Sequence, residues 1–137
     1  MTFGSQLLNL ARDRTRMANL RSGCIAIRPG FPGYRGGGVW LWMVLHCVGV
    51  QLPMLLTTEM ARDLLVKTGW KSVKNPQPGD LMIDQDVAGI VVGASAWHGP
   101  DTHVIATLHD DPDCHPQPWT TTPAVQWIRC PVCAACS

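Results

Sequence analysis

The sequence predicts an α+β domain in which N-terminal helices pack on a small antiparallel sheet and a cysteine-rich tail follows. Two observations carry this. Apolar residues recur at helical spacing through the first half of the chain, and short β-branched runs separated by Pro and Gly corners fill the second. A third comes from residues 75–93, NPQPGDLMIDQDVAGIVVG. Pro76 and Pro78 fix φ and remove donors, Gly79 permits a tight corner, and Leu81, Met82 and Ile83 then open an apolar run. Asp84 to Asp86 make a polar corner before the nearly continuous apolar run 87–92, which suits a strand covered on both faces. Two such strands joined by a short polar link form an antiparallel hairpin, expected at the centre of the sheet.

At 137 residues the chain suits a single domain, long enough to bury a core without covalent staples. A net charge of +1 with only 15% charged residues gives no electrostatic footprint for nucleic acid. Apolar residues reach 46%, which argues against disorder. No apolar run is long enough to span a membrane; the best candidate, 39–50, is too short. The first residues, MTFGSQLLNLARDRTRM, lack the plan of a secretory signal, so synthesis in a reducing cytoplasm is the expectation.

Residues 5–20 read as one helix within an N-terminal helical segment 1–23, with Leu7, Leu10, Ala11, Met17 and Ala18 towards one side, Thr2 or Ser5 as a cap and Gly23 as the stop. Arg12, Arg14, Arg16 and Arg21 make the segment basic, either as a solvated face or as a docking surface for an acidic partner. Cys24 to Ile27 read as a short strand. PGFPGYRGGG, 29–38, fits neither helix nor strand. Residues 39–48 read as a buried helix with Trp40, Met43, Val44 and Cys47 on one stripe, ended by Gly49. Thr57 or Thr58 caps the next helix, with Met60, Ala61, Leu64 and Leu65 inward, Arg62, Asp63 and Lys67 outward, and Gly69 as its stop. After the hairpin, residues 103–108 and 124–129 read as a third and a fourth strand, with loop between them.

Several of these pieces, taken in order, resemble the NlpC and CHAP cell-wall amidases and endopeptidases, which have a minimal papain-like fold. The matching residues are Gly33-Tyr34-Arg35-Gly36-Gly37, the helix ending Gly49-Val50-Gln51-Leu52-Pro53, the helix after Thr57-Thr58, the turn Pro78-Gly79-Asp80-Leu81, and Gly89-Ile90-Val91-Val92-Gly93. They cover residues 30–108 and leave 109–137 as a Pro- and Cys-rich C-terminal extension. The resemblance implies a nucleophilic cysteine at the start of the buried helix, where the positive end of the helix dipole favours thiolate. That position falls at Gly37, among three consecutive glycines. The implied general base, a histidine opening the strand that ends Ile-Val-Val-Gly, falls at Val87 beside Asp86. Both catalytic positions therefore read as vacant.

The family resemblance thus implies a non-catalytic structural or binding component, in the setting of a bacteriophage tail or tail tip, virion-associated, with other protein subunits as partners and peptidoglycan as a contact. The alternative is an active peptidoglycan cysteine amidase or endopeptidase with Cys47 as a relocated thiol and His103 as base, acting through an acyl-enzyme. Cys47 sits near its helix's C-terminal end on the apolar stripe, which reads better as a core cysteine. His103 reads as base or as a strand-end histidine.

A third reading starts from the tail. Cys130, Cys133 and Cys136 follow one another at two-residue gaps, and Cys114 or His115 offers a fourth ligand for zinc or an iron–sulphur cluster. Such a centre would stabilise an assembly contact; a disulfide such as Cys114 to Cys130, or free thiols, is the other expectation. Asp110, Asp111 and Asp113 with His109 form an acidic loop that lacks the glycine and terminal glutamate of a calcium loop and reads as solvated. Six tryptophans either line a sugar or peptide groove or do the core packing.

Overall fold

The computed structural model of the chain describes residues 3–27, 37–51, 58–94, 103–109 and 113–131, and within them four helices precede six strands. The first helix, α1, spans Phe3–Arg12 and buries Leu7, Leu10 and Ala11, the i, i+3, i+4 set of one face. Asp13 then breaks the helix expected over 5–20. Its N–H bonds the Leu10 carbonyl, and its Oδ1 accepts the Arg16 N–H at 3.1 Å, capping a new helix α2, Arg14–Ile27. Gly23 does not stop α2, and residues 24–27 are helical rather than extended. Cys24 lies one turn beyond Leu20, so continuing the helix extends the buried stripe Met17, Leu20, Cys24, which a strand would have broken. Gly23 serves another purpose: a Cβ there would lie 2.7 Å from Cε of Met43 on the neighbouring helix.

Helix α3, Gly38–Cys47, is the buried one, with Val39, Trp40, Leu41, Val44 and Leu45 almost fully covered. Its inward stripe is rotated from the expected one, since Met43 is half-buried and Cys47 is exposed. Helix α4, Thr58–Lys67, buries Leu65 and exposes Asp63 and Lys67. Both α3 and α4 end as their glycines predict. Gly49 (φ 89°) and Gly69 (φ 100°) adopt the left-handed conformation, and the Val50 and Trp70 N–H groups reach back to the Leu45 and Leu65 carbonyls.

The strands are β1 Lys71–Val73, β2 Leu81–Asp84, β3 Val87–Ala94, β4 His103–Leu108, β5 Gln117–Thr120 and β6 Gln126–Arg129. They form one antiparallel sheet in the order β1-β6-β2-β3-β4-β5, with the predicted hairpin β2–β3 at its centre. Sequence reading missed β1 and β5. The segment expected as a C-terminal extension supplies both β5 and β6, and β6 inserts between β1 and β2. Pro118 fits β5 because that strand is at an edge, where a missing N–H costs no ladder bond.

Helices cover one face of the sheet, and a core of Leu81, Ile83, Ala88, Ile90 and Ile128 meets Leu7, Leu10, Trp40, Leu41 and Leu65 there. On the other face Met82, Val91, Ala106, Leu108 and Trp127 form a second cluster. Alternation along β2 therefore buries every residue of the strand, as its unbroken apolar run required. No helix among the described residues is long and apolar enough to cross a membrane.

Candidate functional site

One polar corner among the described residues lies where α3 begins. Gly37 precedes the helix with φ −92° and ψ 10°, and no side chain caps it. Its N–H bonds the Asp86 carbonyl at 3.0 Å, and its own carbonyl accepts the first helical bond, from Leu41, at 2.8 Å. This fastens the start of α3 to the β2–β3 corner. Glycine is required by close approach: a Cβ on residue 37 would overlap the Ala88 Cβ and come within 3.2 Å of both the Ala88 nitrogen and Cγ of His109.

His109, directly after β4, is the imidazole of this corner. The His109 backbone N–H donates to the Ala88 carbonyl at 2.9 Å, and its ring Nδ1 accepts the Ala88 N–H at 3.1 Å. Trp40 flanks it, with ring centroids 6.5 Å apart at 59°. An Nδ1 engaged as acceptor leaves the ring proton on Nε2. The corner thus holds a positive helix end and an oriented imidazole, but Gly37 brings no attacking atom to them. Sequence reading found Gly37 and Asp86 but missed His109, which it assigned to an acidic loop. The available signal was its position immediately beyond a strand antiparallel to β3.

The Pro78-Gly79-Asp80-Leu81 turn has a structural role. Gly79 (φ 94°) packs against the Gly4 backbone at the start of α1, with the Gly4 carbonyl carbon 2.9 Å from where a Cβ would stand. Asp80, 3% exposed, accepts the Gln77 N–H at 2.7 Å and a two-pronged pair from Arg129 on β6, at 3.0 and 2.9 Å. The hydrogen bonds that Arg129 donates to Asp80 raise its pKa further, against the lowering effect of burial. A cation whose pKa is raised on folding keeps its contribution until pH climbs past its unfolded value, so Arg129 adds no pH dependence in the neutral range. At the other end of β2, Asp84 is 1% exposed and accepts Trp119 Nε1 at 3.1 Å, the Thr122 N–H at 2.9 Å and the Thr122 hydroxyl. Both carboxylates tie β2 to later parts of the chain.

The relocated thiol is placed differently. Cys47 ends α3 and is exposed, which corrects the expectation of a core cysteine. It lines an open groove of about 270 Å³ with Leu10, Arg16, Asn19, Leu20 and Met43, and no imidazole is among these residues. His103 opens β4 opposite Thr120 of β5, and its side chain lies outside the described residues.

Of the proposed metal ligands, Cys114 is 5% exposed with φ 54°, Cys130 is half-buried against the helix-side core, and His115 is exposed. Cys133 and Cys136 lie outside the described residues, as do Asp110 and Asp111 of the acidic loop. Cys24, Cys47, Cys114 and Cys130 carry no disulfide among the described residues, so Cys114 and Cys130 are not paired with each other. Among those residues no three His, Cys, Asp or Glu side chains converge on one point. Arg12, Arg14 and Arg16 are exposed, and Arg14 Nε donates to the Asp113 carbonyl at 2.9 Å. No family model, curated protein or solved structure matches the chain.

Proposed function

We propose that the chain is a non-catalytic structural or binding component on a degenerate papain-like framework of the NlpC and CHAP kind. The setting implied by that resemblance is a bacteriophage tail or tail tip, with other particle subunits as partners and peptidoglycan as the surface contacted. The observation that carries the reading is the contact of Gly37 with Ala88 and His109. The helix start that would activate a thiol is closed against the sheet, and no side chain fits at residue 37 without displacing Ala88. The exposed thiol, Cys47, stands at the opposite end of the same helix, where the dipole disfavours negative charge.

The test is digestion of purified sacculi by the full chain under reducing conditions, with released muropeptides separated by chromatography and bound protein measured by co-sedimentation. Binding without muropeptide release, unchanged in Cys47→Ala, is the expected result. Release that disappears in Cys47→Ala or His103→Ala establishes the active amidase instead. A second reading, an assembly contact stabilised by zinc or an iron–sulphur cluster at Cys114, Cys130, Cys133 and Cys136 (or His115), is supported by the packing of Cys114 and Cys130 against the same core. Stoichiometric zinc or iron in the purified protein, lost in Cys133→Ser, is its expected result, and a metal-free protein ends it.

A further inference from the structure

Three sulphur atoms, one of them the Cys47 thiol described above, lie where α2 meets α3. Cys24 Sγ donates to Met43 Sδ at 3.2 Å. Met43 and Cys47 are four residues apart on α3, hence on one face of the helix, and both line the 270 Å³ groove beside α1 and α2. Gly23 makes this possible, because a Cβ at that position would stand 2.7 Å from the Met43 methyl and 3.7 Å from its sulphur. Met43 is half-buried: it packs against the helix-side core while also lining the groove.

We propose that Cys24, Met43 and Cys47 form a binding site for a soft monovalent metal ion of the Cu(I) type. Thiolate and thioether sulphurs select such ions, whereas zinc sites are built from four ligands drawn from thiolate, imidazole and carboxylate. The i, i+4 pair on α3 supplies two ligands from one helix face, and Cys24 supplies the third from across the interface. Cys47 is exposed, which gives the ion an entry path. Arg16 lines the same groove. Two thiolates around a monovalent cation carry a net charge of minus one, which that guanidinium opposes. On binding, the Cys24 and Cys47 thiols each release a proton to solvent and form sulphur–metal bonds, while Met43 gives a lone pair. No electron is transferred, because the ion arrives reduced. The flexible Met43 side chain turns its sulphur from the Cys24 thiol to the metal.

The tail cysteines are also soft ligands, so the test uses the full-length chain carrying Cys133→Ser and Cys136→Ser. Cu(I) is titrated anaerobically against a chromophoric Cu(I) chelator. The expected result is one ion per chain, with affinity at least tenfold weaker in Met43→Leu and at least a hundredfold weaker in Cys47→Ser. X-ray absorption should show an all-sulphur shell. Both substitutions lie at the rim of the groove, and unchanged far-UV circular dichroism verifies the fold. If the tail substitutions impair folding, the same comparison in the unaltered chain reads a loss of one equivalent in Cys47→Ser. Equal affinity and stoichiometry in parent, Met43→Leu and Cys47→Ser overturn the proposal.

Discussion

The two ends of α3 are opposites. At its start, Gly37 packs directly on Ala88 beside a His109 ring held by the Ala88 amide. At its end, His46 and Cys47 face solvent above an open groove, and Gly49 turns the chain away. Ten residues, or about 15 Å of helix at the standard rise, separate them. Thiol chemistry at a helix needs a sulphur, a favourable dipole and a nearby imidazole together. Here the favourable dipole and the His109 imidazole are at one end and the sulphur is at the other, where the neighbouring His46 stacks on Trp42 and does not line the thiol's groove. The three are therefore not assembled at either end of α3.

The largest expected effect comes from filling the closed end. Gly37→Leu should lose about 3 kcal/mol or more of unfolding free energy in urea denaturation, because the added side chain meets the Ala88 Cβ and backbone rather than a flexible tip. Gly37→Cys, which would place a thiol at the helix start, should also be destabilised. Combining either change with Ala88→Gly should recover part of the loss, since the cycle isolates the direct overlap. A stable Gly37→Leu protein, within about 0.5 kcal/mol of the parent, breaks the comparison by showing that the helix start has spare room.

The next effect asks whether the imidazole at that end is a strut. His109→Ala should cost about 1–2 kcal/mol, because it strands the N–H of buried Ala88 that Nδ1 accepts. Nitrogen NMR should report the proton of His109 on Nε2. A ring protonated on Nδ1 would instead free Nε2 to act as a base, and the strut interpretation would be wrong.

These two residues also mark how much could be read from the chain. Local chemistry was legible: the hairpin 81–94, the β4 strand 103–108, and the stops at Gly49 and Gly69 each follow from residues adjacent in sequence. Long-range placement was not. β1 and β5 are three and four residues long and carry little pattern of their own; they are strands because β6 and β4 offer free edges. Asp13 looked like one acid in a basic helix, and only its bond from the Arg16 N–H marks it as a cap. Gly37 could be placed by counting back from Gly49, whereas His109 could not be found that way, since its partner Ala88 is 21 residues distant.

Asp13 sharpens the contrast between a helix capped by a side chain and one that is not. Asp13→Ala should cost about 1 kcal/mol, the usual value of an N-cap, because Arg16 loses its acceptor at 3.1 Å. Helix α3, which has no side-chain cap, gets its start from the Asp86 carbonyl and from packing. If Asp13→Ala is silent, packing rather than capping also fixes α2, and the two helices begin by the same means.

The smallest effect belongs to the open end. Cys47→Ala removes an exposed sulphur and should change metal-free stability by no more than about 0.5 kcal/mol. Measured in chelator-treated protein, this separates the thiol's packing from any ligand it holds. A loss of 1 kcal/mol or more would mean that the thiol packs against Leu10 and Leu20, the apolar members of its groove, and that this end is closed in solution as well. A near-zero result, set beside a large loss at Gly37, would put stability at the start of α3 and leave its end available for binding. An exposed thiol that contributes nothing to folding needs another reason to be there, and the proposed one is the Met43 thioether that shares its groove and lies 3.2 Å from the Cys24 sulphur.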